Sequence, residues 1–278
     1  MKVTQGNICQ AIDELGISNR VICLHSSLKS FGHIEGGAAA VINGFLERGC
    51  TVLVPTFYYD AIVCPPPGNR LEQNGCDYSA LPGIENKNII PYSPQSDHIV
   101  KDMGAIPAEV LRMEGSSRGD HPLNSLSAIG PLAEDIIGSQ KPLDVYGPYR
   151  KIYELGNASI VLMGVDLTKT TPIHYAEQLT GRRLFRAWAK ISDNTAQETE
   201  VGSCSEGFNN LEPYLADEEK TIMVGESKWR IYSFNDFIDK AVSVIRQNPL
   251  ITHCDDKNCI RCNDAVKGGP LFAELSDY

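Results

Sequence analysis

Two short apolar runs separated by a helical pattern occupy the first 55 residues, and this arrangement restricts the fold more than any other feature. Val21–His25 and Thr51–Pro55 each have the length of a buried strand, and proline ends the second. Between them, Ala38–Leu46 has the composition of a helix, and Ile8 to Leu15 repeat with helical spacing before Gly16. A strand–helix–strand unit implies parallel pairing, so we predict an α/β fold in three layers.

The rest of the chain continues this alternation up to about residue 250. Ser159–Val165 is the clearest strand, and it leads into a threonine-rich loop and then a helix. Further strands are indicated at Ala187–Ile191 and Lys228–Ser233, followed by a helix over Phe237–Arg246. Because no repeat or low-complexity linker divides the sequence, we predict one domain over residues 1–250 and a cysteine-containing tail over 251–278.

One long segment, residues 58–97, has few periodic apolar positions and contains Pro65-Pro66-Pro67-Gly68. Irregular loops of this length in a compact domain usually serve a function. We expect a lid or a wall of the acceptor site, and a surface excursion without a role is the alternative.

His174 and Glu177 are three residues apart at the start of a predicted helix, after Thr171 and Pro172. Threonine can cap a helix, and proline is tolerated in its first turn. Residues three apart share one helix face, so the carboxylate can orient the imidazole and raise its basicity. The pair is therefore suited to removing a proton from a nucleophile, although surface helices also carry such pairs by chance.

Two polar loops are further candidates for the site. His25-Ser26-Ser27-Leu28-Lys29-Ser30-Phe31-Gly32 follows the first strand, where hydroxyls, free amides and Lys29 suit a phosphate. His121, Asn124 and Ser125 lie in a rigid loop with Pro122, where they either contact substrate or brace the loop.

The nine cysteines and the absence of a secretion-signal pattern indicate a reducing, cytoplasmic setting. Only Cys254, Cys259 and Cys262 cluster, and neighbouring His253 is a candidate fourth ligand for zinc. Because His253 and Cys254 are adjacent, one tetrahedral site would be strained. Free thiols are the favoured interpretation, and zinc is the alternative.

The net charge of −10 disfavours nucleic acid and anionic membranes as partners. No apolar run reaches the length of about 20 residues that a membrane span requires. A small molecule remains as the expected partner. An exposed edge strand or the long loop would provide the interface of a homodimer.

Several of these segments, in order, resemble the aminoglycoside 3-N-acetyltransferase family over most of residues 8–245. The resemblance implies a three-layer α/β/α sandwich around a mixed, largely parallel sheet, with acetyl-CoA as co-substrate. The matching motifs are His25–Gly32 with Glu35-Gly36-Gly37, Val54-Pro55-Thr56-Phe57, Met103–Pro107, His121–Ser125, Leu162–Val165, Ile173–Glu177 and Ser203–Phe208.

By this resemblance, the chain transfers an acetyl group to a primary amine of an aminoglycoside, amino sugar or amino-sugar nucleotide. His174 would be the general base, Glu177 its partner and Asn124 a group beside the thioester. The alternatives are hydrolysis of a thioester or amide, and a non-catalytic CoA-binding protein with a metal-binding tail. The expected coenzyme contacts are His25, Ser26, Ser27, Leu28, Lys29, Ser30, Phe31, Gly32 and Ser125, and the expected acceptor contacts are Tyr59, His121, Asp166 and Thr171.

Overall fold

A computed structural model describes residues 2–272, which contain twelve strands and nine α-helices. The strands are β1 (Lys2–Val3), β2 (Val21–Ser26), β3 (His33–Ile34), β4 (Thr51–Pro55), β5 (Ile62–Val63), β6 (Ser116–Arg118), β7 (Leu126–Ile129), β8 (Ala158–Met163), β9 (Phe185–Ser192), β10 (Thr195–Val201), β11 (Lys220–Val224) and β12 (Ser227–Ser233). The helices are α1 (Gln5–Leu15), α2 (Gly37–Glu47), α3 (Ala105–Arg112), α4 (Ala133–Ile137), α5 (Gly147–Leu155), α6 (Pro172–Leu179), α7 (Glu212–Leu215), α8 (Phe234–Gln247) and α9 (Ile260–Val266).

A seven-stranded mixed sheet in the order β11-β12-β8-β2-β4-β7-β6 forms the centre of the fold. The strands predicted from apolar runs, β2, β4 and β8, pair in parallel with β2 in the middle. Antiparallel strands flank them on both sides. Because the chain proceeds from β2 to β4 on one side and later to β8 on the other, a crevice is expected at the carboxyl end of β2.

Helices cover both faces of this sheet, which confirms the three-layer prediction. Side chains along β2 alternate between the faces, with Ile22 and Leu24 in one core and Val21 and Cys23 in the other. Helices α1, α2 and α3 pack on the first face, through Ile8, Val41 and Val110 among others. Helices α4, α5, α6 and α8 pack on the second, through Ile136, Tyr149, Ile173 and Ile245 among others.

A second sheet, in the order β10-β9-β5, includes part of the long 58–97 segment, which contributes the edge strand β5. Tyr58 and Tyr92 from that segment pack with Leu123 and Ala189 in a separate small core. The Tyr92 amide also donates to the Lys190 carbonyl oxygen. The segment is therefore anchored to β9 at several points, although most of it lacks regular structure.

The C-terminal segment packs against the rest of the molecule as far as residue 272. Asp264 accepts a hydrogen bond from the Gly75 amide at 2.9 Å, and the Gln73 side chain donates to the Gly269 carbonyl oxygen at 2.6 Å. The last six residues of the predicted tail, 273–278, lie outside the described residues. Within the described range, no helix combines the length and the apolar character needed to cross a membrane.

Candidate active site

A cleft of about 1550 Å³ opens where β2, β4 and β8 end. Ser26, Pro55 and Gly164, at or just after the ends of these strands, all line it. Ordinary small-molecule pockets measure roughly 300–1,000 Å³, so this cleft has room for two ligands side by side. The location at the switch point of the sheet is the one predicted by its topology.

His174 lies in the first turn of α6 and lines this cleft. Pro172 occupies the start of the helix, as the sequence indicated, but the preceding Thr171 makes no side-chain capping bond. The expectation that threonine caps this helix is therefore wrong, because Thr171 itself has helical backbone angles. The Thr171 side chain lines the cleft instead.

The imidazole of His174 is held by Glu177 from the same helix. Its Nδ1 donates to Glu177 Oε2 at 2.9 Å, and both residues are buried. A carboxylate at Nδ1 fixes the proton there, so Nε2 carries the lone pair. Nε2 makes no hydrogen bond with any residue in the range 2–272 and is the nitrogen available to a ligand in the cleft.

Glu177 is itself held by three other side chains. Ser203 donates to Oε2 at 2.9 Å, and Thr252 donates to Oε1 at 2.8 Å. Arg182 donates to Oε1 and also to the Pro249 carbonyl oxygen. Burial alone would raise the pKa of Glu177, but the bonds from His174, Arg182 and Thr252 lower the pKa below its ordinary value. The carboxylate is therefore ionised at neutral pH.

Three further groups fix the plane of the His174 ring. Tyr146 stacks on it with ring centroids 6.3 Å apart, and Phe208 meets it edge-on at 4.8 Å. The Gly202 backbone passes so close that a methyl group there would lie 2.9 Å from the ring and 2.5 Å from the Tyr146 hydroxyl. The imidazole is thus confined to one orientation. We call His174, Gly202, Ser203 and Arg261, all of which line the cleft, the His174 wall.

Asn124 lines the cleft and is positioned by His121 behind it. His121 Nδ1 accepts a hydrogen bond from the backbone amide of Asn124 at 2.9 Å, and His121 Nε2 donates to the Glu200 carbonyl oxygen at 2.7 Å. Asn124 donates through Nδ2 to the Tyr59 hydroxyl at 3.2 Å. Its Oδ1 is buried and has no hydrogen-bond partner among residues 2–272. A buried amide oxygen without a partner points to a ligand contact.

His121 and Ser125 lie behind the cleft lining rather than on it. His121 is fully buried, and burial lowers its pKa to about 4, so the ring is neutral with one nitrogen donating and one accepting. The Ser125 hydroxyl donates to the Thr56 carbonyl oxygen at 2.6 Å. Both side chains therefore brace the Asn124 loop from within.

Most of the loop after β2 reaches the cleft. Ser26–Lys29, His25 and Gly32 line it, whereas Ser30 and Phe31 do not. Ser30 is hydrogen-bonded to Ser227 at 2.7 Å, and Phe31 packs edge-on against Trp229 at 6.0 Å. Burial lowers the pKa of His25 to about 3, so this ring is neutral. We call Ser26–Lys29 with Phe57 and Val165 the strand-end wall of the cleft.

Of the expected acceptor contacts, Tyr59, Asp166 and Thr171 line the cleft. Asp166 also caps the short turn that follows it, accepting from the Thr168 amide at 3.0 Å. Sequence patterns do not connect Gly202, Arg182 or Thr252 with His174, since none of them has a motif of its own and Gly202 and Thr252 are also distant in the chain.

The three tail cysteines converge with Cys204 rather than with His253. His253 Nδ1 donates to the Cys254 carbonyl oxygen at 2.7 Å, and its Nε2 lies 3.1 Å from Asn263 Oδ1. With both ring nitrogens engaged, His253 is not the fourth member of this cluster. Cys204 precedes Cys254 by fifty residues, so sequence spacing does not indicate that it belongs to this cluster.

The fold and the cleft thus define an α/β protein with an oriented His–Glu pair at the carboxyl edge of its sheet. Residues 23–246 match the family described as aminoglycoside 3-N-acetyltransferase, and the chain belongs to this family. This confirms the resemblance found in the sequence.

Individual curated proteins and solved structures are also similar to this chain. The chain is 28% identical to aminoglycoside N(3)-acetyltransferase III of Salmonella sp. over 63% of its own length and 60% of that protein's length. It thus spans less than two thirds of this curated relative. Among solved structures, aminoglycoside acetyltransferase AAC(3)-IVa bound to a gentamicin shares the fold, with a TM-score of 0.75, 21% identity and coverage of 96% and 98% of the two chains. AAC-IIIb, solved as a binary complex with CoASH, gives a TM-score of 0.73, 20% identity and coverage of 89% and 97%.

Proposed function

We propose that this protein transfers an acetyl group from acetyl-CoA to a primary amine of an aminoglycoside or a related amino sugar. The observation that carries the proposal is the free Nε2 of His174, held by Glu177 at the edge of a cleft large enough for two substrates. Family membership supports the same reaction, and the CoASH and gentamicin complexes of AAC-IIIb and AAC(3)-IVa supply examples of both ligands.

The chemistry requires little beyond positioning and proton removal, since a thioester is already activated. The amine nitrogen attacks the thioester carbonyl carbon while His174 Nε2 takes the proton of the amine. The tetrahedral intermediate then collapses, the carbon–sulfur bond breaks, and the proton passes from His174 to the departing thiolate. Glu177 stabilises the imidazolium formed between these steps, because it is ionised and fixed on Nδ1.

Asn124 is the group that we assign to the developing oxyanion. Its Nδ2 makes one hydrogen bond, to Tyr59, so the second hydrogen of this amide is available to the thioester oxygen. Its unpartnered Oδ1 can accept an N–H of either substrate. The backbone amide of Asn124 donates to His121, and this bond holds the Asn124 backbone in place from behind the cleft.

We assign the coenzyme to the strand-end wall. Ser26–Leu28, Lys29 and Gly37 at the start of α2 all line the cleft, and backbone amides together with a lysine suit phosphate groups. The acceptor would then occupy the part of the cleft near Tyr59, Asp166 and Thr171.

The charges of the lining bear on which amine is accepted. Lys29, Lys169 and Arg261 line the cleft, against only two carboxylates there, Asp102 and Asp166, within the described residues. A polycationic antibiotic would meet repulsion from Lys169 and Arg261 unless its amines pair with these carboxylates. Amino sugars with one amine, or with an anionic substituent, are therefore part of the proposed substrate class.

Hydrolysis with Ser203 as nucleophile is less well supported. The Ser203 hydroxyl lies within hydrogen-bonding distance of both members of the pair, but it is on the Nδ1 side of the ring, 3.5 Å from that nitrogen, and it donates to Glu177. Nδ1 already donates to the carboxylate, so it has no lone pair with which to activate this hydroxyl.

The test measures thiol release from acetyl-CoA in the presence of candidate amine acceptors. The panel contains gentamicin, apramycin, glucosamine and glucosamine phosphates. We expect release that requires an amine and an N-acetylated product detected by mass spectrometry. Thiol release without any amine would favour hydrolysis instead. Binding of acetyl-CoA without turnover on the whole panel would favour a non-catalytic CoA-binding protein.

A further inference from the structure

Four cysteines from three separate segments meet beside the cleft. Cys204 follows β10, Cys254 follows the turn after α8, and Cys259 and Cys262 lie at the start of α9. Their sulfur atoms all lie within 4.8 Å of one another. In the described part of the chain they form the one group of this kind, and the other five cysteines lie elsewhere.

This geometry is close to that of a tetrahedral metal centre. Zinc binds thiolate sulfur at about 2.3 Å in a tetrahedron, which places the sulfurs about 3.8 Å apart. Shifts of less than about 1 Å in side-chain position would therefore close the four thiols around an ion. The spacing of Cys259 and Cys262 is also the two-residue interval common in such sites.

The surroundings favour a closed site with four sulfur ligands. His253, the neighbouring imidazole, has both ring nitrogens engaged by Cys254 and Asn263. The Cys254 amide donates to the Cys262 sulfur at 3.4 Å, a bond that stabilises a thiolate. No carboxylate among residues 2–272 joins the group. A tetrahedral set of four thiolates suits zinc, with iron as the competing metal, and it leaves no open position for catalysis.

We propose that Cys204, Cys254, Cys259 and Cys262 bind one Zn²⁺ ion that fixes the C-terminal segment to the His174 wall. On binding, each thiol releases its proton to solvent and each thiolate donates a lone pair to the metal. No oxidant or reductant takes part. The role is structural, because all four positions of the ion are filled by protein.

The contacts around the cluster connect it directly to the His174 wall. Ser203, which donates to Glu177, immediately precedes Cys204. Arg261, between two of the ligands, donates to the carbonyl oxygens of Gly202 and Ser203, the latter at 3.2 Å. The ion would therefore hold both the segment that confines the His174 ring and the arginine that lines the cleft.

A second link lies on the other side of the cluster. Thr252, two residues before Cys254, donates to Glu177 Oε1 at 2.8 Å. Gly207 packs so closely on the His253 carbonyl oxygen that a methyl group at Gly207 would lie 2.4 Å from it. Loss of the ion would loosen the Ser203 and Thr252 sides of the Glu177 network together.

The first experiment measures the metal content of the protein purified without chelator or affinity-tag metals. We expect elemental mass spectrometry to find one zinc ion per chain. We also expect four thiols to be protected from a thiol reagent until the zinc is displaced. Replacement by Co²⁺ should give the visible absorption of a tetrahedral thiolate site. Iron in place of zinc, two disulfides, or four reactive thiols without metal would each overturn the proposal.

Variants distinguish the specific loss of the metal from a general defect in folding. Cys259→Ser should lose the zinc and lower Tm by roughly 5 °C or more, whereas Cys259→His, which keeps a ligand, should retain it. Cys64→Ser, at a half-buried cysteine outside the cluster, is the matched control and should keep a full zinc content. Equal zinc content in Cys259→Ser and the unaltered protein would contradict the assignment.

A third test measures the effect of zinc on catalysis, and it rests on the proposed function as well as on the metal site. Removing the zinc should lower kcat for amine acetylation several-fold while leaving the Kd of acetyl-CoA unchanged, since Ser26–Lys29 does not touch the cluster. If the protein acetylates no amine, the zinc content and Tm still decide the metal proposal.

Discussion

The two walls of the cleft are built from the chain in different ways. The strand-end wall consists of residues at or shortly after the ends of β2, β4 and β8, so the pairing of three parallel strands is enough to assemble it. The His174 wall joins residues from α6, from the loop after β10 and from the C-terminal segment, which meet only in the finished fold. In the proposed function, the first wall binds the coenzyme, and the second orients Nε2 of His174.

Changing Glu177 should have the largest effect of the variants that test this division. In Glu177→Gln the amide can donate to Nδ1, which would move the imidazole proton to Nε2 and remove the base. We expect kcat to fall roughly 10²–10³-fold, by analogy with other oriented histidines. Because Arg182 would keep a buried charge without its partner, the free energy of unfolding should also fall by about 3 kcal/mol.

Steady-state kinetics and urea unfolding measure both effects, and Glu154→Gln, at an exposed carboxylate, is the matched control. A Glu177→Gln enzyme with unchanged kcat would show that the carboxylate does not orient His174.

Gly202→Ala tests the His174 wall without removing any polar group. The new methyl group would lie 2.9 Å from the imidazole and must displace either the ring or the strand end. We expect kcat to fall roughly 10–10²-fold, since displacements near 1 Å can cost this much. The Kd of acetyl-CoA, measured by calorimetry, should stay the same. A raised Kd with an unchanged kcat would reverse the roles given to the two walls.

Lys29→Ala is the corresponding test of the strand-end wall. Lys29 is exposed at the cleft, so its contribution to phosphate binding is screened by solvent. We expect the Kd of acetyl-CoA to rise roughly 2–5-fold at low salt, with the difference shrinking as salt is added. Lys87→Ala, an exposed lysine of the long loop, serves as control. Equal affinity in the two variants would remove Lys29 from the coenzyme site.

The last prediction concerns stability in acid and leaves both ligand sites unchanged. Burial lowers the pKa of His121 to about 4, against about 6.5 in an unfolded chain. The stabilising contribution of the neutral ring is therefore complete above pH ~6.5 and is lost as the pH falls through that window towards 4, by up to about 1.4 kcal/mol per pH unit.

Urea unfolding between pH 7.5 and 5 should show this loss, and His121→Gln should show a smaller slope. Comparing the two slopes isolates the imidazole from other acid-sensitive groups. His98→Asn, at an exposed histidine, is the control. Identical slopes in His121→Gln and the unaltered protein would contradict the account.

The difference between the walls also explains what the sequence predicts. The apolar runs that form β2, β4 and β8 are buried on both faces, and this makes them visible as continuous stretches. The His174–Glu177 pair is equally visible, because a helix turn fixes its geometry locally. The three-layer fold and the candidate base could therefore be predicted from short segments of sequence.

The strands and site residues that cannot be predicted from the sequence are those that depend on long-range contacts. Strand β10 has the polar sequence Thr195–Val201, which becomes a strand through pairing with β9. Strands β6 and β7 are equally hard to predict, because both are short and contain serines, and Ser127 of β7 is hydrogen-bonded to Thr56 across the sheet. Cys204 and Thr252 acquire their significance only when α9 and the turn after α8 fold onto the loop that follows β10.

The central claim, that His174 Nε2 is the base for amine acetylation, is tested most directly by the single change His174→Ala. Amine-dependent thiol release and acetyl-CoA binding should be measured on the same preparation. We expect kcat to fall roughly 10²–10⁴-fold with an unchanged Kd for acetyl-CoA. Near-normal turnover with intact coenzyme binding would contradict the claim.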